Sequence, residues 1–262
     1  MIKITSKRIN IEFLLGKGLD KKIVIEDFKK QVDLVKNELY KSELTQMFNY
    51  AVKNNPTLFT NIAVSNTGNL REMCNEYIKK WISKYSKARS NPAIKRSLKA
   101  YGEKDPALVK RVAVNTNAKS DTLDKYLTGH FVYMSAENMN GEILEEYLAS
   151  VLEPFGWCWC AGAIYRSVDF CYLKPGKEIL LQVKNKYNTE NSSSSAIRNG
   201  TKIIKWNRLN KPRTDDLDSP IPNWEKLCEL IAVKTELSEL LTEEKYLEYI
   251  ENNSSTDILE HR

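Results

Sequence analysis

RSVDFCYLKPGKEILLQVKN, residues 166–185, reads as two strands joined by a tight turn. VDFCYL alternates, KPGK supplies Pro-Gly turn chemistry at residues 174–177, and EILLQVKN is an apolar run that ends in polar residues. Asp169 is out of place among side chains that otherwise belong in a core. Pairing the strands through the turn brings Gln182, Val183 and Lys184 alongside it. Strand side chains alternate with period two, so Gln182 and Lys184 share a face. An acid and an ammonium then converge at the end of a hairpin, with a carboxamide between them. Asp169 is a hard oxygen ligand suited to Mg²⁺, and Lys184 can hold an attacking water or polarise a phosphate.

Upstream, Gly141 opens EILEEYLASVLEPFG, a helix with Leu144, Leu148, Val151 and Leu152 on one face, closed by Pro154 and Gly156. Glu145 stands at i−3 and i−7 from Leu148 and Leu152, which places its carboxylate at the edge of the buried face, towards the strands. Glu142 and Glu146 lie further round. WCWCAGAIY (157–165) reads as a strand, with Trp157 and Trp159 in the core, and IIKW (203–206) as another. The N-terminal half is helical: apolar residues recur at helical spacing from Ile23 to Val52, until Asn54, Asn55 and Pro56 stop them. Further helices are expected over 70–85, 92–101 and 106–114, and two more over 224–250, broken near Ser238. The expectation is an α/β fold, a mixed central sheet flanked by helices. It is divided into a mainly helical, basic DNA-binding region (1–135) and a core with an acidic helical C-terminal part (136–262), with one continuous domain as the alternative.

The chain's 262 residues carry 40 Lys plus Arg against 34 Asp plus Glu, a net charge of +6. The charge is segregated. Lys79 to Arg111 holds eleven bases against two acids, and Lys174 to Arg213 ten against two. From Asp215 onward, thirteen acids face four bases. Two basic stretches beside an acidic tail are an electrostatic footprint for a polyanion, against the plainer reading of solvated lysine-rich helix faces. With two His, His-rich metal sites and HNH-type chemistry are disfavoured, and no G-x-x-x-x-G-K-[ST] or G-x-G-x-x-G loop is present. Five Cys without an export signal, and no long apolar run, point to reduced thiols in a cytoplasmic protein. Cys158 and Cys160 form a lone C-x-C, which reads as buried thiols in preference to zinc ligands.

A helix Glu, a hairpin Asp and an acid-x-Lys strand resemble the PD-(D/E)xK nucleases, particularly type II restriction endonucleases. Here the pattern becomes Glu145, Asp169 and Gln182-Val183-Lys184, with Gln182 in the place of the second acid. QVKNKYNTENSSSSAIRNGTKIIKW (182–206) resembles the segment that follows the active site in enzymes of the HinfI type (G-A-N-T-C) or the SinI type (G-G-W-C-C), with G-A-N-T-C favoured. The resemblance implies Mg²⁺ held by Asp169, Glu145 and Gln182, with Lys184 completing the catalytic set. It implies cleavage of double-stranded DNA leaving 5′-phosphates, a homodimer on a palindromic site, and a cognate DNA methyltransferase as functional partner. Asn185, Lys186, Asn188, Asn191, Ser192, Ser193, Ser194, Ser195, Arg198 and Lys202 are the candidate DNA contacts. Two alternatives stand beside this reading: a structure-specific repair or recombination nuclease, and a DNA-binding protein that has lost cleavage.

Overall fold

Side-chain caps set where the N-terminal helices begin. The structure, a computed structural model, describes residues 5–187, 201–214, 216, 218–232 and 235–259. Asn10 caps helix α1 (Ile11–Gly16) by accepting from Phe13 N at 2.9 Å, and Asp20 caps α2 (Lys21–Val32) through Lys22 N at 2.6 Å. Asn37 caps α3 (Glu38–Asn54) through Tyr40 N at 3.0 Å. The periodic stretch from Ile23 to Val52 is therefore two helices. Asn37 offers its side chain to a new first turn, and Leu34 in the break is 75% exposed. Strands β1 (Ser6–Ile9) and β2 (Ile62–Ser65), paired antiparallel, are an addition to the helical reading of this half. Helix α4 (Leu70–Ser90) follows, longer than its apolar pattern alone indicates.

The chain divides into two compact units, residues 1–90 with 148–243, and residues 91–147 with 244–262. That partition differs from a boundary near residue 135. The reason is helix α6 (Ser120–Leu152), which runs through that position unbroken with Gly141 inside it. In the second unit the residues expected as a helix over 92–101 form a 3₁₀ turn (Ala93–Lys95) and a short strand β3 (Leu98–Lys99). The Glu146 carboxylate fixes that turn by accepting from Ala93 N and Ile94 N. Helix α5 (Pro106–Thr116) is capped by Asp105 with Pro at its first position, as its sequence indicates.

The first unit carries a five-stranded sheet in the order β4 (Cys158–Trp159), β5 (Phe170–Tyr172), β6 (Ile179–Lys186), β7 (Ile203–Asn210), β8 (Ile221–Pro222). β6 and β7 are parallel and the other pairs antiparallel, so the sheet is mixed. β5 and β6 form the expected hairpin around residues 174–177. The strand expected over 157–165 is only two residues long, because the chain then leaves the sheet in a run of turns. Among the described residues the acidic C-terminal part holds three helices, α7 (Trp224–Leu230), α8 (Thr235–Leu240) and α9 (Glu243–Asn253). Trp206 and Trp224 meet with ring centroids 5.2 Å apart, seating α7 on one face of β7.

Phe28, Phe48, Phe59 and Trp81 form the aromatic centre of the first unit, with Phe28 stacked on Phe48 at 3.9 Å. Part of the first basic stretch is structural. Arg89, only 8% exposed, pairs with Glu153 and lies over the rings of Tyr40 and Trp159. Glu43 is buried beside this pair and accepts from Tyr85 Oη. Burial, with Glu153 next to it, pushes its carboxyl up to about 7 from an ordinary 4.5. A folded-state value above the unfolded one means the folded chain holds a proton that the unfolded chain releases across that window. The contribution of Glu43 is complete below about pH 4.5 and is lost as the pH rises towards 7. Glu43→Gln is expected to flatten the pH dependence of melting between those limits and to raise the melting temperature at pH 8 by a few degrees, about 2–4 °C per kcal/mol. Scanning calorimetry at pH 5 and pH 8 measures both effects.

Candidate active site

Asp169 lies one residue before β5 and is still a member of the sheet. Its N–H donates to Leu181 O at 2.8 Å, and its carbonyl accepts from Cys160 N at 2.8 Å. The register pairs Phe170 with Leu181, which sets Asp169 opposite Gln182. One carboxylate oxygen, Oδ2, accepts from Val183 N at 2.7 Å, so the side chain takes a rung of the ladder for itself. Burial pushes the Asp169 carboxyl up to about 6, against the Val183 N–H and the charge of Lys184, which favour the ionised form. Lys184 is exposed, on the same face two residues beyond Gln182.

Gln182 is 3% exposed, and its Oε1 is a buried acceptor with no hydrogen-bond partner among the described residues. Such an orphaned oxygen calls for a donor or a cation. Asp169 and Gln182 together offer the hard oxygen donors that Mg²⁺ prefers, and Mg²⁺ commonly takes one or two carboxylates and completes its shell with water and phosphate. The residues present fit that ion. Among the described residues, no three His, Cys, Asp or Glu side chains are grouped to hold a metal.

The segment before Asp169 is held by the N-terminal helices. Trp81 Nε1 donates to Ile164 O at 3.1 Å, Arg166 N to Leu58 O at 2.7 Å, and Tyr165 Oη to Met47 O. Ala163 and Ser167 take left-handed backbone conformations (φ 51° and 57°), which few non-glycine residues do. Gly162 (φ 74°) passes so close to α4 that an added Cβ would stand 2.6 Å from Lys84 O.

Glu145 is half-buried on α6, in the second unit. Asn185 faces away from Gln182 and Lys184, and its Oδ1 accepts from Arg208 Nε at 2.9 Å, where Arg208 is also paired with Glu243. Lys186 and Lys202 are exposed. Asn188, Asn191, Ser192 to Ser195 and Arg198 lie outside the described residues. Cys158, Cys160 and Cys171 are free and buried, with Cys160 Sγ 3.9 Å from Cys171 Sγ; burial pushes the Cys160 and Cys171 thiols up, and the interaction with Cys171, followed by burial, pushes Cys158 up. In the second unit, a cleft of about 890 Å³ is lined by Lys95, Arg96, Lys99, Tyr101, His130 and Asn138 among others. Arg96 is ion-paired with Glu142, and Lys95 Nζ donates to Asn253 O at 2.6 Å. No helix among the described residues is long and apolar enough to cross a membrane.

A mixed sheet flanked by helices, carrying an acid, an amide and a lysine on one face, is the setting of a restriction endonuclease-like domain. Residues 106–255 match the SinI restriction endonuclease family, and the chain belongs to that family. It is 38% identical over 141 residues to the type II restriction enzyme Eco47I of Escherichia coli, covering 53% of this chain and 56% of the relative. The type II restriction enzyme SinI of Salmonella infantis is similar to the same extent. The chain spans about half the length of the curated relatives it matches. Because the family and both relatives are of the SinI kind, the preference for the HinfI type and its G-A-N-T-C site is corrected.

Gly162→Ala is expected to lower stability by at least about 2 kcal/mol, from the left-handed backbone and the overlap with Lys84 O. The melting temperature should fall by roughly 5 °C or more. Gly68→Ala is the control, since it shares the positive φ (77°) but has open space around it.

Proposed function

We propose that the protein is a Mg²⁺-dependent type II restriction endonuclease, hydrolysing phosphodiesters in double-stranded DNA at a short palindrome of the SinI type, G-G-W-C-C, and leaving 5′-phosphates. The observation that carries the reading is the buried row of Asp169 and Gln182 with exposed Lys184 beyond it, in a chain of this family. Asp169 would hold the metal, with Gln182 Oε1 as a neutral second ligand. Mg²⁺, when bound, supplies Lewis-acid polarisation of the phosphoryl oxygen and an activated water. Val183 N–H keeps Asp169 from turning away and favours its ionised form. Lys184 positions the attacking water in line with the leaving oxygen and stabilises charge developing on the phosphate. In-line attack of water on phosphorus breaks the bond to the 3′ oxygen, which leaves as a hydroxyl after taking up a proton, and the phosphate stays on the 5′ oxygen of the downstream nucleotide.

Lys186, Asn188, Asn191, Ser192 to Ser195, Arg198 and Lys202 remain the proposed contacts along the DNA. The cleft at Lys95, Arg96 and Lys99 gives the second unit a place for backbone phosphates, in keeping with the first basic stretch. A palindromic target matches a two-fold dimer with one site per strand. A protective methyltransferase is the corresponding functional partner. One observation favours a second reading: with Gln182 in place of an acid, the site has less charge to hold a metal, as expected of a DNA-binding protein that no longer cuts.

Incubation with phage DNA in Mg²⁺, followed by end sequencing, separates these readings. Discrete fragments sharing G-G-W-C-C at their ends are expected, and intact DNA in both Mg²⁺ and Mn²⁺ would leave the binding protein. Lys184→Ala should cut about 100–1,000-fold more slowly. Asp169→Asn should lose cleavage without a lower melting temperature, because the amide removes a buried charge. Normal cutting by either variant contradicts the assignment.

A further inference from the structure

Helix α5 is amphipathic yet buries nothing. Leu108, Val109 and Val112 share one side of it, and Leu108 is 50% exposed. The same holds for most of α6: from Lys95 to Ile143 no residue is buried, and Leu144 is the first residue of α6 to be enclosed. The two helices form an antiparallel hairpin across a three-residue connection, Asn117 to Lys119. Between them runs an open apolar groove of about 290 Å³, lined by Leu108, Val109, Val112, Leu123, Tyr126 and Leu127 among others. Tyr126 is half exposed. Tyr133, seven residues and two turns further along the same side of α6, is 81% exposed. An apolar helix stripe is stable when a second layer covers it, and a helix as short as α5 is marginal in water by itself. Among the described residues, none closes this groove.

Shape, extent and charge select a second copy of this chain as the missing layer. The face carries both a groove and, about 10 Å along α6 from Tyr126, a protruding ring at Tyr133. A two-fold axis lets each copy's Tyr133 enter the groove of the other, the reciprocal contact that an isologous interface requires. Two helices side by side, about 16 Å and 33 Å long and about 10 Å across each, present roughly 500 Å² in projection and more over their corrugated surface. Stable dimers begin near about 600 Å² per partner. Charge is polarised along the hairpin. Lys104 to Lys125 holds five bases and three acids, whereas Tyr126 to Ile143 holds Glu137 and Glu142 and no Lys or Arg. Antiparallel packing of two copies sets the basic end of each near the acidic end of the other. An apolar groove offers a phosphate backbone no donors, which sets DNA aside as its occupant.

We propose that the α5–α6 face is where two copies of this chain dimerise, with α6 packed antiparallel on its counterpart so that four helices close one core. The proposal rests on the dimer in the reading above and not on cleavage. Sedimentation equilibrium of the full chain without DNA, across micromolar concentrations, should give twice the chain mass. Tyr126→Glu and Tyr133→Glu should each raise the dimer dissociation constant about 100-fold or more, because a two-fold interface loses each side chain twice. Leu34→Glu, at a leucine of the first unit that is 75% exposed, should leave it unchanged. Benzoylphenylalanine in place of Tyr133 should cross-link two chains on irradiation. Should Tyr133→Glu fail to fold, Tyr133→Gln takes its place. A monomeric wild type, a cross-link within one chain, or undiminished dimerisation of a folded Tyr133 variant overturns the proposal. Dimerisation lost in the variants of a wild type that never cuts DNA overturns the cleavage reading and leaves the interface standing. Site-specific cutting by a wild type whose variants keep the dimer does the reverse.

Discussion

The Val183 N–H to Asp169 carboxylate bond, 2.7 Å long, is the constraint from which the rest of the site follows. A strand usually gives its N–H groups to a neighbouring carbonyl. Here the acid replaces that carbonyl, while Asp169 N–H reaches Leu181 O. Both bonds depend on the β5–β6 register, and a slip of one residue would turn Asp169 to the opposite face from Gln182 and Lys184. The hairpin turn and the apolar residues Leu180, Leu181 and Phe170, all buried, lock that register. Burial raises the cost of ionising Asp169, and a cation beside the Gln182 carbonyl would offset both that cost and the orphaned oxygen.

The N-terminal helices enter the account as a clamp. The peptide from Cys160 to Val168 leaves the sheet, passes over α4 at Gly162, and returns through Ser167 in a left-handed conformation. Backbone bonds to Leu58 and Thr60 and side-chain bonds from Trp81 and Tyr165 hold it there. Without that clamp the two-residue strand β4 has little of its own to pair with, and the Cys160 N–H bond to Asp169 O would have no fixed partner. The aromatic cluster of Phe28, Phe48, Phe59 and Trp81 therefore acts on the site by positioning a loop.

The hairpin, Asp169, Gln182 and Lys184 were legible in sequence because a period-two pattern across a Pro-Gly turn determines both pairing and face. The pairing of β7 with β6 was not, since nothing local says that β7 runs parallel to β6 or in which register. The break at Asp33–Asn37 was hidden by an apolar period that continues through it, and only the capping role of Asn37 marks the second start. Residues 92–101 carry helical composition, yet a buried carboxylate from Glu146, distant in sequence, holds the turn instead. The boundaries of the two units escaped for a related reason: α6 crosses from one to the other without any Pro, Gly pair or composition change to announce it. Arg89 was counted with the basic surface, but its pairing with Glu153 takes it inside.

The central claim is that the rank of Asp169 and Gln182 is where the metal and the cut phosphate meet. Anomalous diffraction from crystals grown with Mn²⁺ tests it most directly, alongside a DNA digest in the same metal. The account predicts an ordered ion against the Asp169 carboxylate, absent in Asp169→Asn. A protein that cuts DNA in Mn²⁺ while its ordered ions lie elsewhere, with none at Asp169, would contradict it.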